Sequence, residues 1–177
     1  MFQRLATLWR HLWLDESDTR RTLGDGAQAR LAARVAQSET RHSGEVRLCV
    51  EASLPPSYLW RHLTQRTPVP QLARQRARMM FSKLGVWDTE RNNGVLIYLL
   101  LAERRIEIVA DRAIHAVAGD AVWNALVQRM AQAFAAGQYE AGLTQAVDEV
   151  TEQLVAHFPL RPGERNPNEL PDAPAMG

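Results

Sequence analysis

Hydrophobic positions along the chain switch between a three-to-four-residue spacing and strict alternation, and the switches mark the elements. Phe2, Leu5, Leu8, Trp9, Leu12 and Trp13 recur at three- and four-residue steps, which predicts an amphipathic helix over residues 2–13. The polar run Asp15-Glu16-Ser17-Asp18 breaks that pattern, and a second helix follows over 27–40 with Leu31, Ala32, Val35 and Ala36 on its inner face. From Glu45 to Ala52 the period becomes two. Val46, Leu48, Val50 and Ala52 alternate with Glu45, Arg47, Cys49 and Glu51, the mark of a strand with one apolar and one more polar face. Leu54-Pro55-Pro56 ends it, because proline cannot donate to a ladder. Residues 57–70 suit a short helix and a loop, and 71–84 a helix stopped by Gly85.

The run VLIYLLLA at 95–102 is apolar throughout, which predicts a central strand covered on both faces. Glu103-Arg104 turns the chain, and 105–111 returns as the second arm of an antiparallel hairpin. Two closing helices are expected. One spans 120–136 and buries Val122, Trp123, Leu126, Val127, Met130 and Phe134; the other spans about 139–157 and buries Leu143, Ala146, Val147, Val150, Leu154 and Phe158. The first two strands are joined by a helical crossover and so run parallel. The fold class is α/β, a small mixed sheet made of a parallel crossover plus an antiparallel hairpin. Three parts are expected: an amphipathic N-terminal appendage over 1–22, a domain over 23–160, and a flexible proline-rich tail over 161–177, too poor in apolar residues to build its own core.

Composition narrows the function. The net charge of +1 gives no wholesale attraction to nucleic acid, and the 20 arginines are spread along the chain rather than gathered in one stripe. One cysteine, Cys49, excludes an internal disulfide and sits inside a strand, where a buried thiol is expected. No apolar run reaches the roughly 18 residues needed to span a bilayer. Arg4, Arg10 and His11 interrupt the N-terminal apolar residues, so a signal peptide is not expected and a cytoplasmic location is. The tryptophans of the first helix, beside basic residues, leave two readings open: docking onto the domain or a second copy, or binding to a membrane surface or protein partner through residues 2–13. Peripheral association with the inner membrane would follow from the latter.

The predicted topology brings three distant segments to one end of the sheet. These are Ser43, Gly44 and Glu45 before the first strand, Asp88, Asn92, Asn93 and Gly94 before the second, and Asp111 and Arg112 after the third. Carboxylate and amide oxygens are ligands for calcium or magnesium, which makes Asp111, Glu45 and Asp88 candidate metal ligands. Arg112 suits an anionic substrate such as phosphate. It would hold the charge of such an anion, while Glu45 or Asp111 would ligate the cation or act as base, and Asn92, Asn93 and Gly94 would line the site. Each residue also has a structural alternative. Asn92-Asn93-Gly94 suits a turn, and Asp111 an ordinary ion pair. The histidines 11, 42, 62, 115 and 157 fall at no zinc spacing, and no phosphate-binding glycine loop or GxSxG elbow is present. Glu45 and Glu51 share a nominal face yet stand about 20 Å apart along the strand, too far for acid–base partnership.

The segments HSGEVRLCVE (42–51), VWDTERNNGVLIYLLLAERRIEIVADRAI (86–114) and AFAAGQYEAGLTQAVDEVTEQLVAHFP (133–159) resemble the TPM domain family. The similarity is greatest to short bacterial members without a signal peptide or membrane anchor that end in a NELPD-like tail, here Asn168 to Asp172. NNGVL with its hairpin is the most specific part. The resemblance implies an α/β/α sandwich, a phosphatase label, and a divalent metal, calcium, in a crevice walled by Asn93-Gly94 and floored by Asp111 with Glu45 as a second acid. It also implies a non-catalytic alternative, an ion- or partner-binding module linked to membrane-protein maintenance or assembly. ADRA stands here where relatives have ADRG, so a positive φ at Ala113 would strain the loop.

Overall fold

The apolar run expected as a central strand forms β2 (Val95–Leu100), every residue of it buried. The computed structural model describes residues 2–14 and 16–177, with side chains from Thr7 onward apart from those of 15 and 16. The side chains of Phe2 and Leu5, expected as apolar positions, and the helix-breaking Asp15 therefore lie outside what is described. β1 (Val46–Glu51) runs parallel to β2, Val46 opposite Val95 and Glu51 opposite Leu100. A single 3-10 turn at Leu101–Glu103, closed by Arg104 at φ 47°, leads into β3 (Arg105–Ala110), antiparallel to β2 with Ala110 opposite Val95. The parallel crossover and the antiparallel hairpin are both present, in one open mixed sheet.

Among the described residues, seven helices cover the two faces: α1 (Phe2–Leu12), α2 (Glu16–Leu23), α3 (Ala27–Glu39), α4 (Pro56–Thr64), α5 (Val69–Lys83), α6 (Arg112–Ala135) and α7 (Tyr139–His157). On one face Val46, Leu48, Val50, Val95, Ile97 and Leu99 meet α3, α6 and α7. On the other, Cys49, Leu96, Tyr98 and Leu100 meet Leu59 of α4 and Leu72, Ala73, Ala77 and Met80 of α5. The sequence expects β1 to show a more polar face. All six of its residues are buried, because α4, α5 and the C-terminal segment close over that side. Two helices depart from expectation. α2 occupies a stretch read only as a break. α6 starts at Arg112 rather than near 120, because Asp111 caps it and Gly119 (φ 78°, ψ 162°) interrupts the helix without ending it.

The proline-rich tail is the largest departure. Rather than a free appendage, it lies along β1 and ends in β4 (Ala175–Met176), parallel to β1 at Cys49 and Val50, giving the strand order β3-β2-β1-β4. An extended, proline-rich segment needs no internal ladder, and here it takes its partners from the domain. Gly177 N donates to Val50 O (3.0 Å), and Ala52 N to Gly177 O (2.7 Å). Leu170 and Ala175 pack into the α4–α5 core.

The polar side of β1 is neutralised within that core. Glu51 accepts two bonds from Arg76 of α5, one of them 2.8 Å from Nε to Oε2, and one from the Tyr98 hydroxyl at 2.7 Å. Burial drives the Tyr98 pKa far up, so the phenol stays a donor; Arg76 is held charged by Glu51. Removing one partner of a buried pair strands the other charge. Arg76→Ala is therefore expected to lower unfolding stability by roughly 3–5 kcal/mol, measured by urea denaturation, whereas the same change at exposed Arg66 is expected to be near neutral.

Candidate functional site

The sheet end that gathers the expected site residues is built by backbone bonds across the hairpin. Asp111 N donates to Gly94 O (2.9 Å) and Ala113 N to Asn92 O (3.0 Å), while Arg112 Nη2 donates to Asn92 Oδ1 (2.9 Å). The asparagine pair and the closing aspartate do meet. Asn92 supplies the turn at φ 52°, a conformation asparagine tolerates because its short side chain bonds locally. Gly94 answers a packing demand: a Cβ there would stand 2.2 Å from Val86 O. Ala113 sits in the first turn of α6 and is not among the positive-φ residues, so alanine at this position carries no strain.

The polar groups then diverge. Asn93, buried, donates from Nδ2 to Ser43 Oγ (3.4 Å) near the end of α7. Glu45 follows the parity of Arg47 and Cys49 onto the opposite face, where Leu170 N donates to its Oε2 (3.1 Å). Asp111 spends Oδ1 on the Arg112 amide at 2.7 Å. Asp88 is exposed on the loop after α5, its amide donating to Gly85 O (2.9 Å). Three buried oxygens here have no partner among the described residues: Asn93 Oδ1, Asp111 Oδ2 and Glu45 Oε1. As a cage for a divalent cation this set fits poorly. It is split between two faces of the sheet and one exposed loop, and among the described residues no group of three or more His, Cys, Asp or Glu is placed to hold a metal ion.

As an anion site, the N-terminus of α6 is also committed. Helix N-termini bind phosphate through free amides, but those of Arg112 and Ala113 are taken by Asp111 and Asn92. Arg112 alone points a charged group to solvent there, and it leans on Asn92. The Cys49 thiol is buried and pushed up to about 12 by burial, so it is no nucleophile. A cavity of about 440 Å³ lies along β3, lined by Arg74, Glu107, His115 and Trp123, and takes in none of the expected residues.

Sequence reasoning missed two buried networks beside this end of the sheet. Glu39, in the last turn of α3, accepts the outward amide of Val46 at 2.9 Å. Burial pushes it up to about 8, partly offset by that bond and reinforced by Glu45 and Asp172. Its signal was available: Glu39 is four residues beyond Val35 and eight beyond Leu31, on the inner phase of the helix. His42 Nε2 lies 2.8 Å from Ser38 Oγ, which lies 2.6 Å from Thr151 Oγ1, and His42 Nδ1 is 3.1 Å from Gly44 O. The Ser–His spacing is that of a nucleophile and its base. All three side chains are buried, however, and burial lowers His42 to about 4, too weak a base for that task at neutral pH. The network ties α3, the approach to β1 and α7 together.

A family model for the TPM domain matches residues 17–153. Among solved structures, the chain is similar to the NMR structure of BA42 from the psychrophilic bacterium Bizionia argentinensis, at 23% identity over 87% of this chain and 94% of that one, with a TM-score of 0.70. It is also similar to the N-terminal domain of a protein from P. gingivalis, at 19% identity over 78% of this chain and 82% of that one, TM-score 0.55. Both likenesses are of fold. No curated protein matches the chain.

The buried network sets a pH dependence. Between 4.5 and about 8 the folded Glu39 carboxyl keeps a proton that the unfolded chain has lost, so stability falls as pH rises through that window. Glu45, raised by burial, acts in the same direction. His42 opposes them below 6.5, where the unfolded state binds the extra proton and stability is lost as pH falls toward about 4. The visible decline should therefore lie between pH 6.5 and about 8, at no more than about 1.4 kcal/mol per unit from Glu39. Urea midpoints measured across that range are expected to drop for the wild type and to flatten for Glu39→Gln.

Proposed function

The chain belongs to the TPM domain family, and on that footing we propose that it serves as a non-catalytic, partner-binding module linked to membrane-protein maintenance or assembly. The observation that carries this reading is the closure of the sheet end. The first amides of α6 are satisfied internally, and Leu170 seals Glu45 beneath the tail. A phosphoryl group approaching from solvent would find one mobile-length guanidinium, that of Arg112, and no activated nucleophile among the described residues. The polar residues at this end act as joints. Asp111 caps a long helix, Asn92 shapes a turn, and Asn93 ties the hairpin to the residues ahead of β1.

A second reading, metal-dependent hydrolysis of phosphomonoesters, draws support from the exposed Arg112 beside the unpartnered Oδ2 of Asp111. In that reading Arg112 would bind the phosphoryl oxygens and Asp111 would take the general-base role.

Release of nitrophenol from an aryl phosphate, with calcium, magnesium or neither, separates the two. The module reading expects no rate above buffer for wild type or for Arg112→Ala, whose exposed side chain can be removed without disturbing the core. A metal-dependent rate that falls roughly 100-fold in Arg112→Ala, the size expected for losing one charge-stabilising donor, would replace the module with the enzyme.

A further inference from the structure

One layer of this molecule has an unusual surface. Residues 52–87 contain six Arg or Lys and no Asp or Glu, and residues 1–14 contain two Arg and again no acid. The first stretch folds into α4 and α5, and the second into α1, which packs on α4. Arg74 and Arg76 turn inward to Glu107 and Glu51, and Arg10 reaches Glu103. Among the described residues, Arg66, Arg78 and Lys83 stay exposed without an ion-pair partner, Arg78 lining the cavity along β3. Trp9, Leu12, Trp13, Trp60 and Trp87 are each more than half exposed; among the described residues, Val117 is the only other large apolar side chain so exposed. Trp9, Trp13 and Trp60 therefore point outward from this layer and Trp87 from the loop just beyond α5, and only Trp123 belongs to the core.

The seating of α1 sharpens the point. An amphipathic helix that docks on its own domain buries its apolar stripe; among the described side chains of this segment, Thr7 and His11 are buried and Leu8 partly so, while Trp9, Leu12 and Trp13 are exposed. His11 Nδ1 accepts the Leu54 amide at 3.0 Å, which places the ring proton on Nε2, 3.3 Å from the Glu103 carboxylate. That bonding fixes the helix while Trp9 and Trp13 stack on each other, ring centroids 6.3 Å apart, on the outer side. Of the readings left open for this stripe, docking onto its own domain is not what Trp9, Leu12 and Trp13 do, since each is exposed.

We infer that the α1–α4–α5 layer docks on an anionic lipid surface. Tryptophan rings settle at the headgroup level, apolar body inward and indole N–H toward water, and unpaired Arg and Lys beside them are drawn to anionic headgroups. No helix among the described residues is long and apolar enough to cross a membrane, so contact of this layer is with the surface alone. A second copy is the poorer occupant. A two-fold interface would set this layer against itself, and α1, α4 and α5 carry no acid to pair with Arg66, Arg78 and Lys83 of the other copy. The inference names the partner of the module proposed above and rests on that reading; vesicle binding and phosphate release are separate measurements, so either can fail alone.

Co-sedimentation of the full chain with vesicles tests it, comparing phosphatidylcholine alone with phosphatidylcholine plus phosphatidylglycerol and following tryptophan emission. Binding is expected only with phosphatidylglycerol, with a blue shift and weakening as salt rises. The paired change Trp9→Ser with Trp13→Ser should lower partitioning at least tenfold. Arg66→Gln with Arg78→Gln should lower it roughly 25-fold, about fivefold per cation. Both pairs alter exposed positions, and unchanged circular dichroism and melting temperature confirm intact variants. Three results would overturn the proposal: no binding to either vesicle, equal binding to both, or binding that neither pair changes. Self-association lost in the tryptophan variant, without vesicle binding, would overturn it in favour of a second copy.

Discussion

A strand buried on both faces must still satisfy the backbone groups along its outer margin, and in this molecule that margin belongs to β1. Its inner side is met by β2. Its outer side is met in pieces: the Glu39 carboxyl takes the Val46 amide, and the final residues of the tail take the groups near Val50 and Ala52. Because unpaired buried amides are costly, this arrangement explains why a segment too polar for a core of its own lies flat on the sheet. It also explains the buried acids. A carboxyl placed to close the margin has to sit in a dry environment, and Glu39 meets that demand by staying protonated near neutrality.

The order of elements was legible because the spacing of apolar residues carries it directly. β2 and the hairpin turn followed from an uninterrupted run and two polar residues; α7 followed from a clean 3.6-residue repeat. What could not be read was coverage. Alternation along 45–52 marks a strand, but whether Arg47 and Glu51 face water depends on which distant segment lies over them. Here Arg47 donates to the carbonyls of Pro171 and Ala173, more than 120 residues away. The same blind spot hid α6's true start, since Asp111 serves as a cap only once the hairpin has placed it there.

At the candidate site, the meeting of Asn92 with Asp111 and Arg112 was legible from topology alone. The facing of the side chains was not. Glu45 and Asn93 precede paired positions of parallel strands and seem natural neighbours, yet parity sends the first under Leu170 and the second toward Ser43. Gly94, conspicuous as part of a polar motif, answers to the Val86 carbonyl. Polar residues that converge on a sheet end can thus be framing members of the fold. On the α1–α4–α5 side, by contrast, Trp9, Leu12, Trp13 and Trp60 are exposed although their spacing is that of an ordinary buried helix face.

The strap over β1 also sets an order of assembly. Its contacts join residues separated by more than a hundred positions, so they demand the longest loop closure in the chain and are expected to form late. Until then β1 presents an open strand edge of the kind that recruits other chains, with Val46 met only by Glu39 from its own neighbourhood. A carboxyl seven residues upstream accepts the amide of the first residue of that edge, a contact with so short a loop to close that it is expected to form before the strap does.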